Sequence, residues 1–453
     1  MVEGGLKAPM RHPVDWHNPD FFDADSLDAE MRRVFDICHG CRRCFNLCDS
    51  FPRLFDLIDA SDTGELDSVA SADFTPVVDA CTLCDMCFMT KCPYVPPHEF
   101  NLDFPHLMLR ARAIDSTRGK VGFAARQLTE TDRNGRLARL AAPLINWATR
   151  RGNWLTRPIL ELVAGIHRDV ELPSFHAKTL MARAKLEAAE IDHAAPAQGR
   201  KAVIFATCFV NYNNPKAGMA ALGVLAKNGV AAVLAYPGCC GMPQLEHGDL
   251  ERVAGQARKV AAHFKDHIAQ GYDVIALVPS CALMLKSEWP LLLPDDEDIK
   301  RLAQATRDIC EYVVDIAANE GMAAGLSPVE GGVSLHIACH ARAQNMGHKA
   351  ADMLRLIPGM DPDVLERCSA HGGSVGITKD YFETAVKLCQ PVAKRAAEQG
   401  NAYVCSECPL AGKHVVQCME SMEQDATGTV EHAPGHPIEI LAQAYGIDLE
   451  AAR

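Results

Sequence analysis

Short aliphatic runs that end in cysteine dominate the second half of the chain. A first series consists of KAVIFATC (201–208), AAVLAYPGCC (231–240) and YDVIALVPSC (272–281). A second series consists of VSLHIAC (333–339), DVLERC (363–368) and NAYVCSEC (401–408). Helix-length stretches such as 250–271 and 381–399 lie between the runs. Strands that alternate with helices predict a mainly parallel sheet for each series, with the cysteines gathered at the strand ends.

The first half of the chain is helical in pattern. Leu54, Leu57 and Ile58 recur at helical spacing, and so do apolar residues in 137–148 and 156–166. The apolar residues in 137–148 lie opposite Arg136 and Arg139, with tryptophans nearby. Such a basic amphipathic helix either lies in a membrane interface or packs on its own protein, and Pro143 favours packing. We expect 156–166 to be a core helix.

Composition narrows the class of protein. The chain has 453 residues, enough for about three folding units, and 19 cysteines. The N-terminus has no apolar export segment, so we expect a cytoplasmic protein whose cysteines are thiolates rather than disulfides. No apolar stretch approaches the roughly 20 residues that span a bilayer. The net charge of −13 argues against nucleic acid as a partner.

Eight N-terminal cysteines form two similar runs, CHGCRRCFNLC (38–48) and CTLCDMCFMTKC (81–92). Three cysteines on a tight turn reach three corners of one iron-sulfur cube, and in the two-cluster bacterial pattern the last cysteine of each run binds the other cube. We therefore predict two [4Fe-4S] clusters, one held by Cys38, Cys41, Cys44 and Cys92, and one held by Cys81, Cys84, Cys87 and Cys48.

Two departures weaken the cross-ligation. Cys48 is followed by Asp49 rather than proline, and four residues rather than three precede Cys92. Paired CxxC motifs also hold structural zinc, but the third cysteine at the same interval is superfluous for a tetrahedral zinc site.

The C-terminal half resembles the cysteine-rich CCG domain of heterodisulfide reductase B subunits and glycolate oxidase iron-sulfur subunits. Cys239-Cys240-Gly241 matches the core of that motif, which continues to a CxxC pair. The resemblance implies one cysteine site in each half. Met284 is expected where the first half would have its last cysteine, and Ser369 where the second half would have the second cysteine of its pair. The two sets are Cys208, Cys239, Cys240 and Cys281, and Cys339, Cys368, Cys405 and Cys408.

Four thiolates in each half suit an ordinary [4Fe-4S] cluster or another metal and argue against a noncubane catalytic cluster. The alternative is that some of these cysteines are buried apolar residues. His340 and His371 lie beside candidate ligands, where we expect them to support the ligands rather than bind. Cys310, Cys389 and Cys418 fall outside the motifs and are interpreted as structural.

The order of modules resembles the family of the C subunit of anaerobic glycerol-3-phosphate dehydrogenase, including CTLCDMCFMTKCPYVPPHEFNLDFPHLMLR and ERCSAHGGSVGI. The fold class implied is multidomain α and α/β. It consists of a helical two-cluster ferredoxin-like module (1–109), a basic helical connecting segment (110–199) and two pseudo-repeated CCG-like halves (200–327 and 328–453).

This resemblance implies an electron-transfer subunit that takes electrons from a flavoprotein dehydrogenase subunit and passes them to membrane quinone or another acceptor. Its place would be the cytoplasm or, by peripheral contact, the cytoplasmic face of the inner membrane. No catalytic residue is assigned, because one-electron relay needs no acid, base or nucleophile. The main rival is an enzyme that reduces a disulfide at an open iron in a CCG-like half, and a zinc scaffold is a third possibility.

Overall fold

A helical region comes first in the computed structural model, which describes residues 9–187, 189–423 and 433–449. The helices are α1 (Ala24–Cys41), α2 (Ser50–Asp59), α3 (Thr75–Ala80) and α4 (Phe104–Thr117), with short 3-10 turns at Pro19–Phe22, Leu66–Ser68 and Ser71–Phe74. Asp23 caps α1 by accepting a hydrogen bond from the Ser26 N–H. The predicted helical stripe at Leu54 lies on α2 and is buried against Phe35 and its neighbours.

Short helices make up the connecting region. They are α5 (Phe123–Thr129), α6 (Thr131–Ala138), α7 (Ala142–Thr149), α8 (Arg157–Ala164) and α9 (Leu180–Leu186), with a 3-10 turn at Arg139–Ala141. The single helix expected over 137–148 is thus divided, because Pro143 occupies the first turn of α7 and cannot continue the preceding helix. Arg157 is buried and donates hydrogen bonds to four backbone carbonyls, which fixes α8 to the following loop.

The first cysteine-ended series forms a four-stranded parallel sheet of order β2-β1-β3-β4. Its strands are β1 (Lys201–Phe205), β2 (Ala231–Ala235), β3 (Asp273–Ala276) and β4 (Thr306–Asp308). Its helices are α10 (Cys208–Tyr212), α11 (Pro215–Lys227), α12 (Met242–Glu246), α13 (Leu250–Ala269), α14 (Pro279–Leu283), α15 (Trp289–Leu292), α16 (Glu297–Ala305) and α17 (Ile309–Asn319). A π-helical turn, Met284–Glu288, joins α14 to α15.

The second series repeats this plan in a parallel sheet of order β6-β5-β7-β8. Its strands are β5 (Val333–His336), β6 (Asp363–Leu365), β7 (Tyr403–Ser406) and β8 (Ala433–Gly435). Its helices are α18 (Cys339–Ala343), α19 (Lys349–Leu354), α20 (Phe382–Gln399), α21 (Pro409–Glu423) and α22 (Pro437–Ala444). The chain is therefore a mixed helical and α/β protein with two parallel sheets, as the alternation of strands and helices predicts.

The helical region is fastened to the first sheet region by buried polar contacts. Arg11 forms ion pairs with Asp85 and Asp103 of the helical region and with Glu288 beyond α14. Arg112 of α4 donates hydrogen bonds to the carbonyls of Cys81 and Glu246. One continuous hydrophobic core runs through the helical region and both sheets. The loop that carries the second cysteine run is thus held between the two parts.

The connecting region exposes a band of apolar side chains. Several of its large residues are mostly solvent-accessible, with Trp154 and Leu162 each 84% exposed. The band consists of Phe123, Leu137, Leu140, Leu144, Trp147, Trp154, Leu155, Ile159, Leu162 and Val163. The expectation of a core helix over 156–166 is therefore wrong for its exposed face; Leu160 and Ile166 pack inward. Among the helices that the structure describes, none has the length and apolarity required to cross a bilayer.

Candidate iron-sulfur sites

All 19 cysteines are free thiols, and most of them meet in four groups. Site A consists of Cys38, Cys41, Cys44 and Cys92. Site B consists of Cys48, Cys81, Cys84 and Cys87. Site C consists of Cys208, Cys239, Cys240 and Cys281. Site D comprises Cys339, Cys368 and Cys408, which lie at the carboxyl ends of the strands of the second sheet.

Site A draws its thiols from three places. Cys38 and Cys41 lie on the last turn of α1, which ends where Arg42 adopts a left-handed conformation and turns the chain toward Cys44. Cys92 comes from the end of the second cysteine run. Burial and the charges of Cys92, Cys44 and Cys41 raise the pKa of Cys38, so the four thiols are mutual neighbours. The structure thus brings Cys92 together with the other three cysteines of the first predicted cluster, and their binding of one cluster stays a prediction.

Site B is built on a loop in unusual backbone conformation. Leu83 and Asp85, on either side of Cys84, both have positive φ, and a π-helical turn begins at Cys87. These turns bring Cys81, Cys84 and Cys87 around one point. Burial and the charges of Cys84 and Cys81 raise the pKa of Cys48, which places Cys48 with this loop.

Site C lies at the carboxyl ends of β1, β2 and β3. The Sγ atoms of Cys208 and Cys239 are 3.7 Å apart, and Cys240 is hydrogen-bonded to both Cys239 and Cys281. Gly241 has φ of 85° and donates its N–H to the Cys239 sulfur at 3.4 Å. Glycine suits this position because a left-handed backbone lets the N–H turn back onto the thiolate.

Site D repeats part of that geometry. Ala370 takes the place of Gly241, with φ of 57°, and donates its N–H to the Cys368 sulfur at 3.2 Å. Cys368 is hydrogen-bonded to Cys339, and this bond lowers its pKa to about 7. Backbone N–H groups of α21 point at Cys408.

The structure does not bring Cys405 to site D. The strand pairings make it equivalent to Ile275, since Cys405 pairs with Leu335 of β5 as Ile275 pairs with Ile204 of β1. Its side chain is fully buried in the hydrophobic core. Cys405 faces the core because the side chains of a strand alternate, and the cysteine that reaches the sheet end is three residues further on. Of the expected four thiols in this half, three therefore lie at the site.

The same register corrects the expected place of the missing cysteine in the first half. Helices α14 and α21 begin at Pro279 and Pro409, so Val278 is the counterpart of Cys408. Met284 lies beyond the CxxC segment, in the π-helical turn, and is fully buried. The first half has thus kept the second cysteine of the CxxC pair, Cys281, and the second half has kept the first.

Burial gives the thiols the chemistry of a cluster site. It raises the pKa of Cys44 to about 12 and, for Cys81 and Cys408, to about 11. Several buried thiolates in one place would repel one another. They therefore stay protonated unless a metal ion takes the place of the protons. Soft sulfur donors in sets of three or four fit iron-sulfur clusters.

The four sites form a continuous series. The charge of Cys44 in site A raises the pKa of Cys87 in site B. Cys84 of site B is hydrogen-bonded to Cys339 of site D. Sites D and C adjoin, because the charge of Cys281 raises the pKa of Cys408. Each neighbouring pair of sites is thus close enough for the charges of their cysteines to interact, and sites B and D are also joined by a hydrogen bond.

Polar residues outside the cysteine motifs form hydrogen bonds with the loops that carry the cysteines. Most of these residues were not predicted from the sequence. Asp132 of α6 accepts a hydrogen bond from the Cys239 N–H at 3.0 Å. His340 bridges the sites, since its ring is hydrogen-bonded to Ser280 at 2.8 Å and to the Leu83 carbonyl at 3.3 Å. His340 thus contacts neighbours of sites C and B, and its expected role as a support rather than a ligand stays a prediction. Asp132 gives no signal in the sequence, because its contact crosses 107 residues.

Besides Cys405, three cysteines lie outside sites A to D. Cys310 is fully buried on α17. Cys389 and Cys418 lie opposite each other on α20 and α21, next to His414. The structural interpretation of Cys310 remains a prediction, whereas Cys389 and Cys418 form a cluster that their sequence spacing did not indicate.

Comparison with known proteins agrees with this geometry. Residues 202–286 match the family model for the CCG cysteine-rich domain. The chain is 28% identical to the C subunit of the anaerobic glycerol-3-phosphate dehydrogenase of Escherichia coli K12 over 345 residues, which cover 75% of this chain and 81% of the relative. It is 27% identical to the B subunit of the fumarate reductase (CoM/CoB) of Methanothermobacter marburgensis over 256 residues, 55% of this chain and 47% of the relative.

A shorter relative is lactate utilization protein A of Bacillus pumilus, which is 26% identical over 188 residues, 39% of this chain and 75% of the relative. The matched domain contains all four thiols of site C. The resemblance expected from the cysteine motifs is confirmed: the chain is a CCG-domain iron-sulfur protein related to the C subunit of anaerobic glycerol-3-phosphate dehydrogenase.

Proposed function

We propose that this chain is the iron-sulfur electron-transfer subunit of an oxidoreductase complex, carrying electrons from a flavoprotein partner toward quinone. The observation that carries this proposal is the unbroken series of sites A, B, D and C. Such a series suits electron transfer because an electron can pass from each site to the next one along the series. When bound, iron-sulfur clusters supply reversible one-electron chemistry.

The relatives support the same class of function. Two of them are named as subunits of a dehydrogenase and of a reductase. In this chain the protein supplies burial, thiolate ligands and hydrogen bonds to sulfur. The N–H groups of Gly241 and Ala370 each donate to a cysteine sulfur, and such bonds tune the potential of a site.

The proposal is tested on the full chain, purified without oxygen. We expect at least about eight iron and eight sulfide per chain from sites A and B alone. Photoreduced flavin mononucleotide should reduce the protein, and menadione, a soluble quinone, should reoxidise it, as followed by absorbance and low-temperature EPR. The Cys84→Ser variant should lose about four iron and transfer electrons more slowly. The Cys310→Ser variant, outside all four sites, should behave as the wild type.

About four iron per chain with zinc making up the balance would contradict the proposal. So would a reduced protein that menadione does not reoxidise.

Disulfide reduction is the second candidate, and site D is the observation that favours it. Three of its own thiols, Cys339, Cys368 and Cys408, leave one position of a four-ligand site without a cysteine from the same half. Cys84 lies beside Cys339, but it also belongs to site B. In protein first reduced with dithionite, which supplies the two electrons per disulfide, stoichiometric thiol release from an added disulfide that is abolished in Cys339→Ser and retained in Cys405→Ala would favour this candidate over relay.

We also propose that the exposed apolar band of the connecting region contacts the membrane interface. The side chains of Leu144, Trp147 and Trp154 are exposed, and tryptophan is favoured at that interface. Ten Arg or Lys against three Asp or Glu lie between Arg110 and Arg151, which suits an anionic surface. A membrane fits the band better than a core does, because these side chains have no apolar covering in the described part of the chain.

Vesicle sedimentation tests this contact. Binding should be stronger to vesicles with anionic phosphatidylglycerol than to phosphatidylcholine, and it should weaken as salt shortens the Debye length from about 10 Å at 0.1 M. The double variant Leu144→Ser, Trp147→Ser should lose binding, whereas Val233→Thr, at an exposed valine of the first sheet, should keep it. Equal binding at low and high salt, or none at either, would reject the membrane contact.

A further inference from the structure

Two cysteines and a histidine converge between helices α20 and α21. Cys389 comes from α20, and His414 and Cys418 come from α21. The Cys389 Sγ, the Cys418 Sγ and one imidazole nitrogen of His414 all lie within 4.8 Å of one another. His414 and Cys418 are four residues apart, so they project from one face of α21 toward the same point. Three ligating atoms therefore surround one small space.

The surroundings of this group are apolar. All three residues are buried, and the hydrophobic cluster around the two cysteines includes Val392 and Val415. A histidine and a pair of thiols are costly to bury there unless each is bonded. The thiols of Cys389 and Cys418 are hydrogen-bonded to each other, which lowers the pKa of Cys418 to about 5 and raises the pKa of Cys389, so a second thiolate forms only when a metal ion takes the place of the Cys389 proton.

A further nitrogen ligand lies next to the group. His371 is partly buried, and its Nε2, which is shielded from solvent, has no hydrogen-bond partner among the residues that the structure describes. Its ring centroid is 6.3 Å from that of His414. Burial lowers the pKa of His371 to about 3, so the ring is neutral, the form in which histidine binds metals.

We propose that Cys389, His414 and Cys418 bind a divalent transition metal, most readily Zn²⁺, with His371 as the fourth ligand. Zinc takes two thiolates and two imidazoles in a tetrahedron with Zn–S of about 2.3 Å and Zn–N of about 2.0–2.1 Å, so a sulfur and a nitrogen ligand stand roughly 3.5 Å apart. The Cys418 Sγ and His414 Nε2 are 3.8 Å apart. Closing this gap needs only a small movement of side chains.

The site would brace one of the cluster loops. Helix α21 begins at Pro409, directly after Cys408 of site D, and His414 and Cys418 lie about one and a half and two and a half turns further along. His371 follows Cys368 by three residues. A metal that joins α20, α21 and the 368–371 loop would therefore fix two thiols of site D without itself taking part in electron transfer.

The test uses the full chain, produced in medium with zinc and purified without oxygen. We expect about one zinc per chain that resists mild chelation, in addition to iron. X-ray absorption at the zinc edge, which iron does not disturb, should give two sulfur neighbours at about 2.3 Å and nitrogen neighbours at about 2.0–2.1 Å. Cys418→Ser and His414→Gln should lose the zinc and keep the iron of sites A and B. The matched control is Cys310→Ser, another fully buried helical cysteine, which should keep both.

Zinc retained in Cys418→Ser and His414→Gln would overturn the proposal. A zinc shell of four sulfurs would also overturn it, because the metal would then occupy one of sites A to D as an adventitious ion. A Cys389–Cys418 disulfide in protein alkylated without oxygen would exclude the site as well. If the variants fail to fold, the X-ray absorption spectrum of the wild type still tests the proposal. Two sulfur neighbours of zinc indicate the proposed site, and four indicate one of sites A to D.

Discussion

At the scale of single residues, Arg11 holds more of the protein together than any sequence motif indicates. Its guanidinium donates five hydrogen bonds to the carboxylates of Asp85, Asp103 and Glu288, and it lies over the Phe88 ring. Asp85 lies inside the loop of site B. The side chain of Arg11 thus joins the N-terminal segment that precedes the Pro19–Phe22 turn to the loop of site B and to the first sheet region.

Replacing Arg11 by alanine should destabilise the protein strongly. The change leaves two buried carboxylates, Asp85 and Glu288, and the partly buried Asp103 without their cation, a loss that typically costs about 3–5 kcal/mol of the free energy of unfolding. The matched control is Arg33→Ala, which breaks the exposed ion pair to Glu30 and should cost under about 1 kcal/mol. Anaerobic urea denaturation of both variants measures the difference. Similar midpoints for the two variants would show that the buried network is not stabilising.

The same network predicts a pH dependence through His106. Burial and the charge of Arg11 lower the pKa of His106, but Asp103 and Glu288 raise it by more, so the net shift is upward. Protonated His106 therefore stabilises the fold fully below its ordinary pKa of about 6.5, and this contribution is lost as the pH rises through the raised value.

The stability difference between the wild type and His106→Gln should accordingly be largest near pH 6 and shrink toward pH 9. Denaturation midpoints across that range measure it. If the stability difference between the two proteins grew with pH, the pKa of His106 would be lowered in the fold rather than raised.

At the scale of elements, the sequence predicted the strands that carry aliphatic runs, β1 to β3 and β5 to β7, but not β4 or β8. These two are three-residue edge strands, TRD and APG, which pair on one side only and so need no apolar run. The grouping of thiols was predictable because the cysteines follow strand ends. The cysteine of CSEC that lies at site D was not predictable, because either Cys405 or Cys408 could stand at the strand end and only the sheet register distinguishes them.

This register leads to a direct comparison of the two cysteines of β7 and its following loop. Cys408→Ser should remove the iron of site D, because its thiol stands at the sheet end. Cys405→Ala should leave iron content and EPR signals unchanged and cost stability only through a small core cavity, about 1 kcal/mol. Iron analysis and EPR of the two purified variants distinguish them. Loss of iron in Cys405→Ala would restore the four-cysteine set expected from the sequence.

At the scale of the whole molecule, the cysteine sites of the helical region and of both sheets meet in the interior rather than remaining in separate modules. Cys84 and Cys339 are 255 residues apart in sequence, yet their thiols are hydrogen-bonded. Sites B and D are therefore neighbours, and their electrons should influence one another.

We expect magnetic interaction between sites B and D in the fully reduced protein, seen as broadened low-temperature EPR signals. Cys339→Ser should remove site D and sharpen the signal of site B, while Cys405→Ala should leave the broadening in place. Identical spectra for wild type and Cys339→Ser would show that the two sites are not coupled.

The contact between Arg11 and Glu288 can form only late in the synthesis of the chain. The two residues are separated by 277 positions. A ribosome that adds about 5–20 residues per second needs roughly 15–55 s to cover that distance. During this interval the first cysteine runs have left the ribosome, but the surface that closes over the loop of site B does not yet exist. Cofactor insertion machinery would therefore meet sites A and B before the first sheet is complete, and the first sheet region would then close over the loop of site B.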